Sequence, residues 1–199
     1  MSLALPDSDA RLPLLALLQR HVCEAAGMVD MFRQFALTHR DCFERSCAPG
    51  HFTGSAWLVD ATGERVLLTH HRKLNKWLQL GGHADGDPDM ARVALKEAEE
   101  ESGLQDLAVE PEIFDLDRHE IPARPNEPAH WHYDVRFIVR ATRDQPFVVT
   151  HESHALAWRE VRDVAADTSV DQSVQRMARK WLARFSTPSP PNPPLEGEG

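Results

Sequence analysis

Glu97, Glu100 and Glu101 place three carboxylates within little more than one helical turn, shortly after the pair Gly81-Gly82. Each helical residue advances about 100° around the axis. A helix over 88–102 therefore puts Met90, Val93 and Ala94 on one stripe, and Glu97, Glu100 and Glu101 continue it. The inward face passes from apolar to acidic, while Glu99 points away. Like charges at these spacings repel by roughly 0.2–0.5 kcal/mol per pair when exposed, and by more when partly buried. A hard divalent cation removes the conflict, since Mg²⁺ takes oxygen ligands and keeps waters that a substrate phosphate can replace. The ends are well marked. Asp87 suits the N-cap, Pro88 the first helical position, and Gly103 the position just past the last turn.

Two other groups of residues have chemical potential. His70-His71-Arg72-Lys73-Leu74-Asn75-Lys76 is a basic patch, and Arg72, Lys73 and Lys76 are candidate phosphate contacts. The chain also holds 11 histidines. In His130-Trp131-His132-Tyr133-Asp134 a strand would carry His130, His132 and Asp134 on one face, with Trp131 and Tyr133 on the other. Together with His83 beside the glycine pair and His51 at the start of a strand, these residues can surround a pocket, His132 as a substrate contact or as part of a second metal site. Trp57 and Trp77 read as core.

The segment from Gly82 to Leu104 resembles the signature box of the Nudix hydrolases. That box reads Gly, five residues, Glu, seven residues, Arg-Glu, an aliphatic residue, any residue, Glu-Glu, any residue, Gly, aliphatic. Gly82 opens it here, and Lys96-Glu97-Ala98-Glu99-Glu100-Glu101-Ser102-Gly103-Leu104 closes it in register. Departures are also visible. Pro88 replaces the first box Glu, Lys96 replaces the Arg, Ala98 is small, and Leu80 stands where Pro is common. Lys96 keeps the charge but lacks the bidentate fork of arginine.

The resemblance implies a Nudix-like α/β/α sandwich with a mixed sheet. It further implies Mg²⁺ or Mn²⁺ held by Glu97, Glu100 and Glu101, with the Gly81 carbonyl as an added ligand. The implied reaction is hydrolysis of a pyrophosphate bond in a nucleoside diphosphate linked to another group, by attack of an activated water on phosphorus. Glu97, or Glu152 from a later loop, is the candidate base. The implied partner is a small nucleotide-like molecule; the family is often dimeric, which makes a homodimer possible. Two other readings compete: a non-catalytic nucleotide sensor on the same fold, and a hydrolase using a transition metal at His130, His132 and Asp134.

The elements that must position these residues follow from patterning. Helical spacing of Leu12, Leu15, Leu18 and Val22, and of Met28, Met31, Phe32 and Phe35, predicts two helices separated near Gly27. They form an N-terminal helical extension over 1–46 that packs on the main domain or on a second subunit. Asp7, Ser8 or Asp9 can cap the first. Cys47-Ala48-Pro49-Gly50 marks the boundary to the main domain, 47–185. Strands are expected at Phe52–Val59, Arg65–His70, Trp77–Leu80, Val109–Leu116, His132–Arg140 and Ala155–Arg159, with a last helix over Thr168–Phe185. This order of strands, hairpins and helices is α/β with a mixed sheet. Residues 186–199 hold five of the 14 prolines and read as a disordered tail.

Composition narrows the function classes. The 199 residues are 42% hydrophobic and 27% charged, and the net charge is −9. Such an acidic body disfavours nonspecific nucleic-acid binding. Cys23, Cys42 and Cys47 match no disulfide framework or zinc pattern, and read as reduced thiols. The apolar run Leu12–Leu18 is too short to span a bilayer and lacks the basic flank of a signal peptide. The expectation is a cytoplasmic protein without a membrane partner.

Overall fold

Gly50–Val59 is buried at all ten positions, as expected of a strand covered on both faces, and it forms the central strand β1. The structure is a computed structural model describing residues 8–22, 27–72, 75–125, 127–149 and 153–185. Before β1 come α1 (Leu12–Arg20) and α2 (Met28–Thr38); after it come β2 (Arg65–His71), β3 (Lys76–Leu78), β4 (Leu80–His83) and α3 (Met90–Ser102). The chain continues through β5 (Leu107–Ile121), β6 (His130–Ala141), β7 (Ser153–Glu160), α4 (Val161–Ala166) and α5 (Gln172–Ala183).

The described residues form a seven-stranded mixed sheet with the path β3-β2-β1-β6-β5; β4 pairs with β1 and β7 with β2. β1 runs parallel to β6 along its whole length and antiparallel to β4 from Thr53 to Ala56. One face packs against α1, α2 and α3, the other against α4 and α5, which makes the expected α/β/α sandwich.

The N-terminal helices pack on the main domain. Phe35 stacks on Tyr133 of β6 at 3.9 Å between ring centroids, and Phe32 lies edge-on to the same ring at 5.3 Å. Trp57 is buried as expected and Tyr133 is buried too, whereas Trp77, also read as core, is half-buried.

Several details depart from the sequence reading. The buried stripe of α1 is Leu14 and Leu18, while Val22 is exposed, so the helix is rotated from its expected phase. No side chain caps it; Asp9 instead accepts from the backbone and guanidinium of Arg11, which is buried and also donates to the Ala36 carbonyl at 2.9 Å. In α2, Ala36 is buried while Met31 is exposed. Trp77–Leu80 is two strands, because β3 pairs with β2 whereas β4 turns to pair with β1. β5 extends to Ile121, and the last helix is preceded by the short α4. Residues 186–199, with Cys23, Lys73 and Glu152, lie outside the described residues.

Candidate active site

The acidic helix reaches the sheet because β1 carries no side chain at its point of approach. A Cβ at Gly54 would stand 2.8 Å from Val93 and 3.1 Å from the Ala94 nitrogen. Met90, Val93, Ala94 and Ala98 are all buried against the sheet. Asp89, rather than Asp87, is the N-cap of α3, with its side chain accepting from the Arg92 amide at 3.1 Å. Asp87 instead accepts from the Arg92 guanidinium at 2.7 Å and 2.6 Å. Pro88 therefore lies one residue before the cap, and Gly103 closes the helix at φ 69°.

At the C-terminal half of α3 the carboxylates meet β4. The Gly81 amide donates to Glu101 Oε1 at 2.8 Å, fixing one carboxylate against the strand. The Glu97 carboxylate lies over Gly82 and fills the space a Cβ there would occupy. Its side chain is only 16% exposed, against 59% for Glu100. Lys96 stands 3.9 Å from Glu97 and 3.5 Å from Glu100, so its ammonium faces both. Glu99 is half-buried rather than fully solvated. Glu97, Glu100 and Glu101 thus offer only carboxylate oxygen on one helix side, which fits a hard divalent cation such as Mg²⁺ or Mn²⁺.

The opposite sheet face holds a charged network that the sequence reading missed. Asp134 Oδ1 accepts from Thr53 at 2.9 Å and Ser55 at 2.8 Å, and its Oδ2 accepts from Arg136 at 2.7 Å and Gln79 at 3.3 Å. Arg136 is 2% exposed, and its guanidinium also faces Asp115 at 3.6 Å and Asp117 at 3.3 Å. Arg176 from α5 closes the network on Asp115 and Asp117. Burial opposes the charge on Arg136, but the surrounding carboxylates, Asp134 first, outweigh it and keep it charged. Burial pushes the Asp117 carboxyl upward. The hydrogen bond from His119 and the charges of Arg136 and Arg176 more than reverse this, and it titrates well below the usual carboxylate range. The one available signal was the alternation His130, His132, Asp134, Arg136.

The other candidates fall in three places. Lys76 pairs with Asp171 at the N-cap of α5, at 3.3 Å. Arg72 donates to the Ser153 carbonyl at the start of β7, at 3.4 Å. His132 joins His51, His83 and His130 on the sheet face shared with Asp134, whose oxygens are already engaged by Thr53, Ser55, Arg136 and Gln79. Burial and the neighbouring His83 and His130 push His51 down to about 4; burial and the surrounding imidazoles push His132 down to about 2.

Comparison with known proteins agrees with this architecture. The family model of the NUDIX domain matches residues 51–184. No curated relative matches the sequence. Among solved structures, a Caenorhabditis elegans Ap4A hydrolase in a binary complex superposes with a TM-score of 0.54 at 16% identity, covering 67% of this chain and 96% of that one. An MutT protein from Methanosarcina mazei gives 0.54 at 15% identity, covering 68% and 95%. The Escherichia coli dihydroneopterin triphosphate pyrophosphohydrolase gives 0.53 at 16%, covering 67% and 95%. At these identities the likeness is one of fold.

Proposed function

The chain belongs to the NUDIX domain family, and from that premise we propose that it hydrolyses a pyrophosphate bond in a nucleoside diphosphate linked to another group, with a divalent cation as cofactor. One observation carries this reading: Glu97 and Glu101 are seated on Gly82 and Gly81, with Glu100 one turn from Glu97 on the same helix. Mg²⁺ or Mn²⁺, when bound, supplies charge neutralisation on the phosphate oxygens and a lowered water pKa. The residues supply the rest. The Gly81 amide aims Glu101, the bare Cα of Gly82 leaves room for Glu97, and Lys96 balances the charge of Glu97 and Glu100. Glu97, the least exposed of the lysine-paired acids, is placed to accept a proton; Glu152 is the other candidate base.

The named relatives point to nucleotide-like substrates: an Ap4A hydrolase and a dihydroneopterin triphosphate pyrophosphohydrolase share the fold. The test is a panel of nucleoside triphosphates, nucleotide sugars, dinucleoside polyphosphates, NADH and coenzyme A, with Mg²⁺ or Mn²⁺ and products identified by mass. A monophosphate product from at least one member supports the reading. Binding without turnover at saturating metal would instead support the sensor reading, which the replacement of two box residues by Pro88 and Lys96 favours.

A further inference from the structure

Four strands bring five imidazoles together on the sheet face opposite α3. His51 enters β1 in register with His132 of β6, His83 ends β4 opposite Thr53, and His119 of β5 lies opposite His132. Ring centroids are 4.8 Å apart for His51 and His132, 5.1 Å for His51 and His83, and 5.0 Å for His83 and His132. His130 stands 5.0 Å from His51 and 5.2 Å from His132. One ring nitrogen from each of His51, His83 and His132 lies within 4.8 Å of the other two.

Three of these rings, His51, His130 and His132, have buried nitrogens that lack a hydrogen bond among the described residues. His51 is 2% exposed, and neither of its ring nitrogens has a hydrogen-bond partner among the described residues. The Nε2 atoms of His130 and His132 are buried without a hydrogen bond among the described residues, and His130 Nε2 has only the Glu127 carboxylate at 3.7 Å. Such a group is costly if nothing engages it, and buried polar groups are overwhelmingly satisfied. His130 Nδ1 sits 3.0 Å from the Pro128 carbonyl, an acceptor only. In the neutral ring the proton is then on Nδ1, which leaves the Nε2 lone pair available. That arrangement, with the far nitrogen donating to a carbonyl, is the one found behind metal-bound imidazoles.

The donor set selects the ligand. Three imidazole nitrogens suit a borderline transition ion rather than Mg²⁺, and the Glu127 carboxylate stands 3.7 Å from His130 Nε2 at the edge of the cluster. Asp134, the carboxylate expected to complete such a site, is engaged by Thr53, Ser55 and Arg136. Zinc–nitrogen bonds of 2.0–2.1 Å in a tetrahedron put nitrogens about 3.4 Å apart, so small ring rotations close the three onto one ion. We propose that His51, His83 and His132 bind a zinc-class divalent ion, with His130 beside it for a fourth position. This site is separate from the carboxylates of α3 and stands whether or not the hydrolase reading does.

The test uses the full chain stripped of metal and titrated with Zn²⁺ by calorimetry, with Mg²⁺ in excess to occupy the hard carboxylate ligands. Visible absorption of the Co²⁺-loaded chain reports the ligand field. One equivalent should bind with micromolar or tighter affinity and give a nitrogen-rich, low-symmetry Co²⁺ spectrum. His132→Gln and His83→Ala should each weaken binding by about 10-fold or more, while Glu100→Gln and Glu101→Gln leave it unchanged. The half-buried His83 is the variant that decides if the His132 variant does not fold. Absence of tight Zn²⁺ binding, equal affinity in His83→Ala, or loss of Zn²⁺ in the Glu variants alone would overturn the proposal. So would phosphate binding to the cluster that Zn²⁺ does not compete away.

Discussion

Two adjacent glycines make different demands, and their alanine variants should separate folding from chemistry. A Cβ at Gly82 meets the mobile carboxylate end of Glu97, whereas one at Gly81 meets the Ser55 main chain. Gly82→Ala should therefore leave thermal stability within about 1 kcal/mol while lowering turnover by about 10-fold or more, because Glu97 must swing away. Gly81→Ala should lower the melting temperature, since β4 has to part from β1. Melting curves beside initial rates check both; a Gly82→Ala enzyme of full activity would show that the Glu97 position is immaterial. The acidic trio was legible because helical spacing is local: Glu97, Glu100 and Glu101 needed only one helix. The cap was misplaced by two residues because Asp87 and Asp89 satisfy the same pattern; the Arg92 amide bonds to Asp89 while its guanidinium takes Asp87.

At the scale of elements, β6 and β5 share a buried electrostatic network, and Arg136 is its centre. Removing one partner of a buried ion pair costs about 3–5 kcal/mol, because the remaining charges lose compensation. Arg136→Ala should lose about that much by denaturant unfolding, and a change below 1 kcal/mol would contradict the network's role. Asp117 adds a pH term. Its folded pKa lies below its unfolded value, so its contribution is full above the ordinary carboxylate pKa and declines as pH falls through the folded one. Asp117→Asn should flatten acid destabilisation below about pH 4, seen as a shallower fall of melting temperature with pH. The sequence read these strands by alternation but could not supply their neighbours. Trp77–Leu80 looks continuous, yet partner exchange at Gln79 divides it, and the meeting of His51, His83 and His132 depends on registers between distant strands.

For the whole molecule, the N-terminal helices share a core with the sheet. Leu14, Leu18, Phe32 and Phe35 are buried in one cluster with Phe52, Val93 and Val135. Deleting residues 1–46 should expose that face and yield an aggregating or unfolded chain, read by size-exclusion chromatography and circular dichroism; a monomeric, cooperatively melting remainder would contradict it. The order of strands and helices, and hence the sandwich, was visible from hydrophobic periodicity. The phase of α1 was not, because Leu12, Leu14, Leu15, Leu17 and Leu18 leave its buried side ambiguous. Among the described residues no helix is long and apolar enough to cross a membrane. In the proposed reaction the carboxylates seated on Gly81 and Gly82 run a cation-dependent hydrolysis. Its most direct test is the Mg²⁺ dependence of turnover for the wild-type chain and Glu101→Gln on the substrate found by the panel. Saturable activation of the wild type is expected, and for the variant a kcat lower by about 100-fold with the fold intact. Superimposable activation curves for the two proteins would contradict it.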